Sequence, residues 1–163
     1  PTEEHRGLVT LYGEDAVAAG EMAMAPGDEG DERWVRVLAV FDGHGLMGKE
    51  AARVAAERLL HESDRNAGEL TAALLRHDVA AVKNIELRKY GTLDAHLEES
   101  LRSPTGGTTC SCVKLVRAQS RLFMVVSNVG DSPVLLINNK TKHVSIVSGR
   151  HSWDNPEERS KYL

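Results

Sequence analysis

Cysteine is nearly absent. The 163 residues include two, Cys110 and Cys112. On a strand they share one face with Cα atoms roughly 6.5 Å apart and parallel side chains, poor geometry for a bridge. A reduced, intracellular chain with two half-buried thiols is therefore expected, cytoplasmic or nuclear. Neither cysteine has an arginine six positions later, since Val116 and Ala118 stand there. The pairing of thiolate and arginine that serves a cysteine nucleophile in phosphate chemistry is thus missing. No apolar run is long enough to span a bilayer, and no secretory signal is visible. The net charge is −4 with no basic stripe, so neither membrane nor nucleic-acid binding is expected. Repeats and low-complexity tracts are missing too. What is present is an apolar fraction of 41%, adequate for a core, in a length that suits one domain over 1–163.

Strand and helix signals alternate in blocks. Leu8 to Tyr12 and Ala16 to Ala25 read as short strands around Gly13-Glu14-Asp15. Pro26 to Arg33 is a charged, glycine-bearing turn. Trp34 to Phe41 is apolar except for Arg36, as for a strand covered on both faces. Met47 to His61 places Ala52, Ala55, Ala56, Leu59 and Leu60 at helical spacing, and Ser63, Asp64 and Asn66 then break the pattern. Glu69 to Tyr90 reads as a longer helix ended by Gly91, and Thr92 as the cap of a short one. His61, His77 and His96 lie on these helices, widely separated, as surface or boundary residues. After Gly106-Gly107 the character returns to strand. Thr108 to Val116, a buried run Arg121 to Ser127, Val134 to Ile137 and His143 to Val147 suggest an antiparallel meander. A further helix starts near Pro156. Strands, then helices, then strands make an α+β domain with helices against sheet faces.

The chain turns around Val40-Phe41-Asp42-Gly43-His44-Gly45. The turn groups a carboxylate, a free carbonyl and an imidazole. The glycines permit a sharp bend and a close ligand. Asp42 is a hard oxygen donor suited to Mg²⁺ or Mn²⁺, and the imidazole of His44 is a side chain type able to move a proton. An ordinary strand-to-helix turn, with Asp42 as a cap, accounts for the same residues.

Four stretches recur in order: Gly13-Glu14-Asp15-Ala16, the Asp42 turn, Gly106-Gly107-Thr108-Thr109, and Asn128-Val129-Gly130-Asp131-Ser132. The tail from Ser148 to Glu158 adds a fifth. Together they resemble the type-2C, metal-dependent (PPM) serine/threonine protein phosphatases. The resemblance implies an α+β fold, a two-layer antiparallel β-sandwich flanked by helices, with a two-metal site at one end of the sheets. It implies that Asp15 and Asp42 are metal ligands, with Asp42 bridging both ions and the Gly43 carbonyl binding one. Glu14 would hold a water on the metal, His44 would be the general acid, and Asp131 would lie near the metals. Two Mg²⁺ or Mn²⁺ ions about 4 Å apart activate water and clamp phosphoryl oxygens, so no enzyme nucleophile is needed. The partner implied is a phosphoprotein substrate.

Three positions depart from the family pattern. Thr10 stands where an arginine usually grips the substrate phosphate, and Arg6 is four residues out of register. Pro133 follows Gly-Asp-Ser, where arginine is common, and Leu46 follows Gly-His-Gly, where a small residue is common. The family's later DG-x-W-D and DN motifs, which bring further metal aspartates, have no counterpart. These features imply the N-terminal portion of a sandwich, apparently incomplete. They also admit an alternative, a catalytically weak pseudophosphatase serving as a regulatory or binding domain.

Overall fold

Period-two burial builds most of the sheet and small-residue stripes build the helix contacts. The structure is a computed structural model that describes residues 6–24, 32–101, 105–152 and 154–160. In chain order the elements begin with β1 (Arg6–Tyr12), β2 (Asp15–Ala23), β3 (Trp34–Phe41) and β4 (Gly43–Gly45). The helices α1 (Gly48–Arg65), α2 (Ala67–Leu75) and α3 (Val79–Leu101) follow. Next come β5 (Gly106–Thr108), β6 (Cys110–Ala118), β7 (Arg121–Val129), β8 (Leu135–Ile137), β9 (Val144–Ile146) and α4 (Pro156–Arg159). The main sheet has five antiparallel strands in the order β1-β2-β3-β6-β7. β4 pairs with β5, and β8 with β9, as separate ribbons. The last two therefore leave the meander expected from spacing.

One face of the sheet carries the core. Ala16, Ala18, Val35, Val37, Ala39, Phe41, Cys112 and Val116 are buried there, against Ala52, Ala55, Ala56 and Leu59 of α1. The small residues bring α1 close to β2 and β3. The apolar run of β3, broken only by Arg36, predicts cover on both faces. Among the described residues cover exists on one only. Leu38 and Val40 are 54% and 50% exposed, and on β7 Leu122 and Met124 are 59% and 44% exposed. The described residues thus supply a five-stranded sheet and its helices. A five-stranded sheet with this open apolar face matches half of the expected sandwich.

The helix boundaries correct three expectations. Ser63 and Asp64 do not end α1, which runs to Arg65, with Ser63 buried. Asn66 does mark the break between α1 and α2, and a second break follows at His77, whose φ is 56°, between α2 and α3. Gly91 does not end a helix, because α3 continues through it to Leu101. Thr92 caps nothing and donates its hydroxyl to the Arg88 carbonyl at 3.1 Å. Of the charged turn at 26–33, only Glu32 and Arg33 fall within the described residues.

A polar network crosses the core between α3 and the sheet. Lys114 on β6 donates to Glu86 Oε1 at 2.6 Å, and Lys89 donates to Glu86 Oε2. The Ser127 hydroxyl donates to Glu86 Oε2 at 2.8 Å and lies 3.1 Å from the Tyr90 hydroxyl. Glu86, Lys89 and Lys114 are all buried. Two ammonium groups thus share one carboxylate.

Glycine positions make a direct test of packing. A Cβ on Gly43 would stand 2.2 Å from the Glu14 carbonyl oxygen and 2.4 Å from that of Gly48. Both contacts are backbone and neither can rotate away. Gly43→Ala is expected to destabilise the fold by about 3 kcal/mol or more. A Cβ on Gly91 would meet nothing within 4 Å, and the position is helical. Gly91→Ala is expected to stabilise by about 0.5–1 kcal/mol. Urea unfolding of the two variants measures both effects.

Candidate metal and catalytic site

The strand ends create the site. Ala16 pairs with Phe41, Val40 with Ser111, and Cys110 with Val129. Carried one step on for the first and third pairs and two for the second, the same registers set Asp15 opposite Asp42, Asp42 opposite Thr109, and Thr109 opposite Gly130. Four strands therefore finish in line at one end of the sheet. Alternation adds the direction. Ala16 and Phe41 face the core, so Asp15 and Asp42 continue on the opposite, open face, and both are exposed. Adjacent strands lie about 4.8 Å apart, which puts the two aspartates within reach of a shared ligand.

Thr109 holds Asp42 in place. Its N–H donates to the Asp42 carbonyl at 2.9 Å, and its hydroxyl accepts the Asp42 N–H at 3.2 Å. The Thr108 hydroxyl donates to the same carbonyl at 3.2 Å. These two threonines are the positioning residues that sequence reasoning missed. They belong to the Gly-Gly-Thr-Thr stretch, but their role emerges only once β3 pairs with β6 across the intervening helices.

The segment after Asp42 is not a simple strand-to-helix turn. Gly43–Gly45 forms β4 and pairs with Gly106–Thr108 before α1 begins. Gly43 is wedged between the Glu14 carbonyl and the start of α1. The β1–β2 turn, the Asp42 segment and α1 thus converge at one point. His44 is exposed and lies opposite Gly107. A Cβ there would stand 3.1 Å from its Nε2. A side chain at Gly107 would therefore require the ring to shift by a few tenths of an ångström.

Asp131 is placed differently. It follows Gly130, whose φ of 100° turns the chain off the end of β7. That end is two strands from Asp42, or roughly 10 Å across the sheet. The structure thus brings Glu14, Asp15, Asp42, Gly43 and His44 into one neighbourhood and leaves Asp131 at its margin. Among the described residues, no group of three or more His, Cys, Asp and Glu side chains gathers closely enough to hold a metal ion. The donor chemistry still fits a hard cation. Asp15 and Asp42 offer carboxylates and Gly43 a carbonyl, and Mg²⁺ commonly binds through one or two carboxylates with water filling its shell.

The cysteines take no part. Both are free and buried. Burial, then the neighbouring Cys112, pushes the Cys110 thiol up to about 12, and burial also raises Cys112. Neither is a thiolate nucleophile near neutral pH.

The sequence profile of the family described as Protein phosphatase 2C matches residues 14–161. The chain belongs to the protein phosphatase 2C family. Solved structures agree on the fold. The PPM Ser-Thr phosphatase MsPP from Mycobacterium smegmatis, in complex with cacodylate, is 21% identical, with a TM-score of 0.53. That match covers 98% of this chain and 59% of the other. Serine-threonine phosphatase 2C from Toxoplasma gondii is 18% identical with a TM-score of 0.52, over 99% of this chain and 58% of the other. The phosphatase 2C chain described here therefore spans somewhat under two thirds of the length of these relatives. A search of curated proteins finds no match. No helix among the described residues is long and apolar enough to cross a membrane.

Proposed function

We propose that residues 1–163 are the N-terminal portion of one metal-dependent protein phosphatase domain, which hydrolyses phosphoserine and phosphothreonine in protein substrates. The observation that carries this reading is the register that aligns Asp15 with Asp42 on one face at one end of the sheet. Asp15, Asp42 and the Gly43 carbonyl would hold the cations, with Glu14 beside them. Mg²⁺ or Mn²⁺, two ions in all, would supply activation of water and neutralisation of the phosphoryl oxygens. Thr108 and Thr109 fix the main chain of Asp42, so its carboxylate is pre-positioned rather than recruited. His44 protonates the departing serine or threonine oxygen, and Asp131 adds negative charge at the margin. The buried, reduced thiols favour a reducing compartment, cytoplasmic or nuclear.

The test of the reaction class is Mn²⁺- or Mg²⁺-dependent phosphate release from a phosphopeptide by the full-length protein. No release with either ion would overturn it. His44 offers a sharper measurement. His44→Gln is expected to slow hydrolysis of a phosphoserine peptide about 10²-fold. On p-nitrophenyl phosphate the loss is expected to be much smaller, because nitrophenolate leaves without a proton. Equal losses on both substrates would remove His44 from the acid role.

Thr10 favours one other reading. It sits on β1 opposite Val17, where the family's phosphate-gripping arginine would stand. A pseudophosphatase that binds a partner and turns over little would account for it. Partner binding that survives chelator and is indifferent to Asp42→Ala would support that reading.

A further inference from the structure

Val40, Ser111 and Asn128 pair in one row across β3, β6 and β7, so all three point to the open face. Other outward residues of these strands include Leu38, Leu122 and Met124. On this apolar face Ser111 and Asn128 stand apart, and asparagine is a poor strand former. Both side chains bond to the segments around Asp131. The Ser111 hydroxyl donates to the Ser132 carbonyl. The Asn128 side-chain amide donates to the Gly130 carbonyl at 3.3 Å and to the Gly149 carbonyl at 2.8 Å. The His151 N–H reaches the same Gly130 carbonyl at 3.0 Å, and the Ser148 hydroxyl accepts the Val134 N–H at 2.8 Å. Gly130 also packs on Thr109, where a Cβ added to the glycine would stand 2.6 Å from Cγ2. Thr109 is the residue that fixes the Asp42 main chain. Asp131 is therefore bracketed, with residues 130 and 132 both tied down, while it is itself exposed.

We infer that Asn128 is a positioning residue for the metal site: by cross-linking the Gly130 turn to the segment at 148–151, it holds the Asp131 carboxylate in place as an outer charge on the cations. Ser111 assists from β6. The inference rests on the reading of the strand ends as a cation site. A turn that is already ordered presents its carboxylate without the cost of fixing it on binding. Groups that orient outer carboxylates commonly change metal affinity about tenfold or more.

The test is Mn²⁺ binding to the full-length protein without substrate, read from the electron paramagnetic resonance signal of free Mn²⁺. Asn128→Ala is expected to weaken binding about tenfold, and Ser111→Ala to weaken it by less. Asp131→Asn is expected to weaken it as well. Adding Asn128→Ala to Asp131→Asn is expected to do little more, because the amide acts through that carboxylate. Unfolding curves without metal check that each variant folds, and should Asn128→Ala not fold, Ser111→Ala takes its place in the same comparison. Binding in Asn128→Ala equal to that of the unaltered protein overturns the inference. So does an undiminished further loss on top of Asp131→Asn, or an Asp131→Asn protein that binds normally. If the unaltered protein binds no Mn²⁺, or Asp42→Ala binds it equally well, the cation site itself is overturned and the inference falls with it.

Discussion

Asp42→Ala is expected to lower metal-dependent phosphate release by about 10³-fold or more, the loss typical when a group that stabilises transition-state charge directly is removed. Asp42 has its main chain bonded on both sides, N–H to the Thr109 hydroxyl and carbonyl to the Thr109 N–H. Those bonds are untouched by removal of the side chain. The variant is therefore expected to fold with stability within about 1 kcal/mol of the parent, as for a surface substitution. The measurement is kcat on a phosphoserine peptide across a Mn²⁺ titration, beside a thermal unfolding curve. A folded Asp42→Ala protein that keeps full activity would overturn the assignment of this site.

The second large effect is on stability. Burial alone would raise the Glu86 carboxyl, but Lys89 and Lys114 together outweigh it and hold the group down at about 2. Glu86→Gln removes the only negative charge between two buried ammoniums. The expected cost is about 3–5 kcal/mol, as for breaking a buried pair. Lys114→Met is expected to act in the opposite sense. It leaves a matched Glu86–Lys89 pair, and the result should lie within about 1 kcal/mol of the parent or above it. The pH dependence follows the same sign. Glu86 titrates lower in the folded chain than in the unfolded one, so its contribution is present above about 4.5 and is lost as the pH falls towards 2. Burial, then the like charge of Lys89, lowers Lys114, so its contribution rises with pH in the alkaline range. Urea unfolding of both variants, repeated across pH, checks these effects. A greater loss from Lys114→Met than from Glu86→Gln would contradict the surplus-charge reading.

The strands that frame the site could be read from residue order, because period-two patterning and the glycine-bearing turns mark β1, β2, β3 and β6 directly. The helix ends could not. Ser63 and Asp64 look like stops but sit inside α1, where packing on the sheet overrides local preference. Gly91 looks like a terminator but lies mid-helix, and the break at His77 carries no glycine at all. β3 misled in another way. A run such as Trp34–Phe41 shows that two faces are apolar, not that both find cover. Part of the site was also readable, since Asp15, Asp42, Gly43 and His44 stand in recognisable turns. Thr109 was not, because its task depends on a strand pairing separated by 67 positions. The core network was half visible. Alternation along β6 points Lys114 inward between Cys112 and Val116, but its partner Glu86 sits on a helix 28 positions earlier.

The wedge at Gly43 restricts how this region can vary. Three segments touch there through main chain alone, so no choice of side chain can tune the contact. Leu46, three residues on, is 88% exposed and makes no such demand. A saturation library across the loop should therefore fall from free substitution to near-total intolerance within a few codons. Evolutionary drift in substrate preference would have to enter through the outward positions, leaving the carbonyl at 43 where it stands.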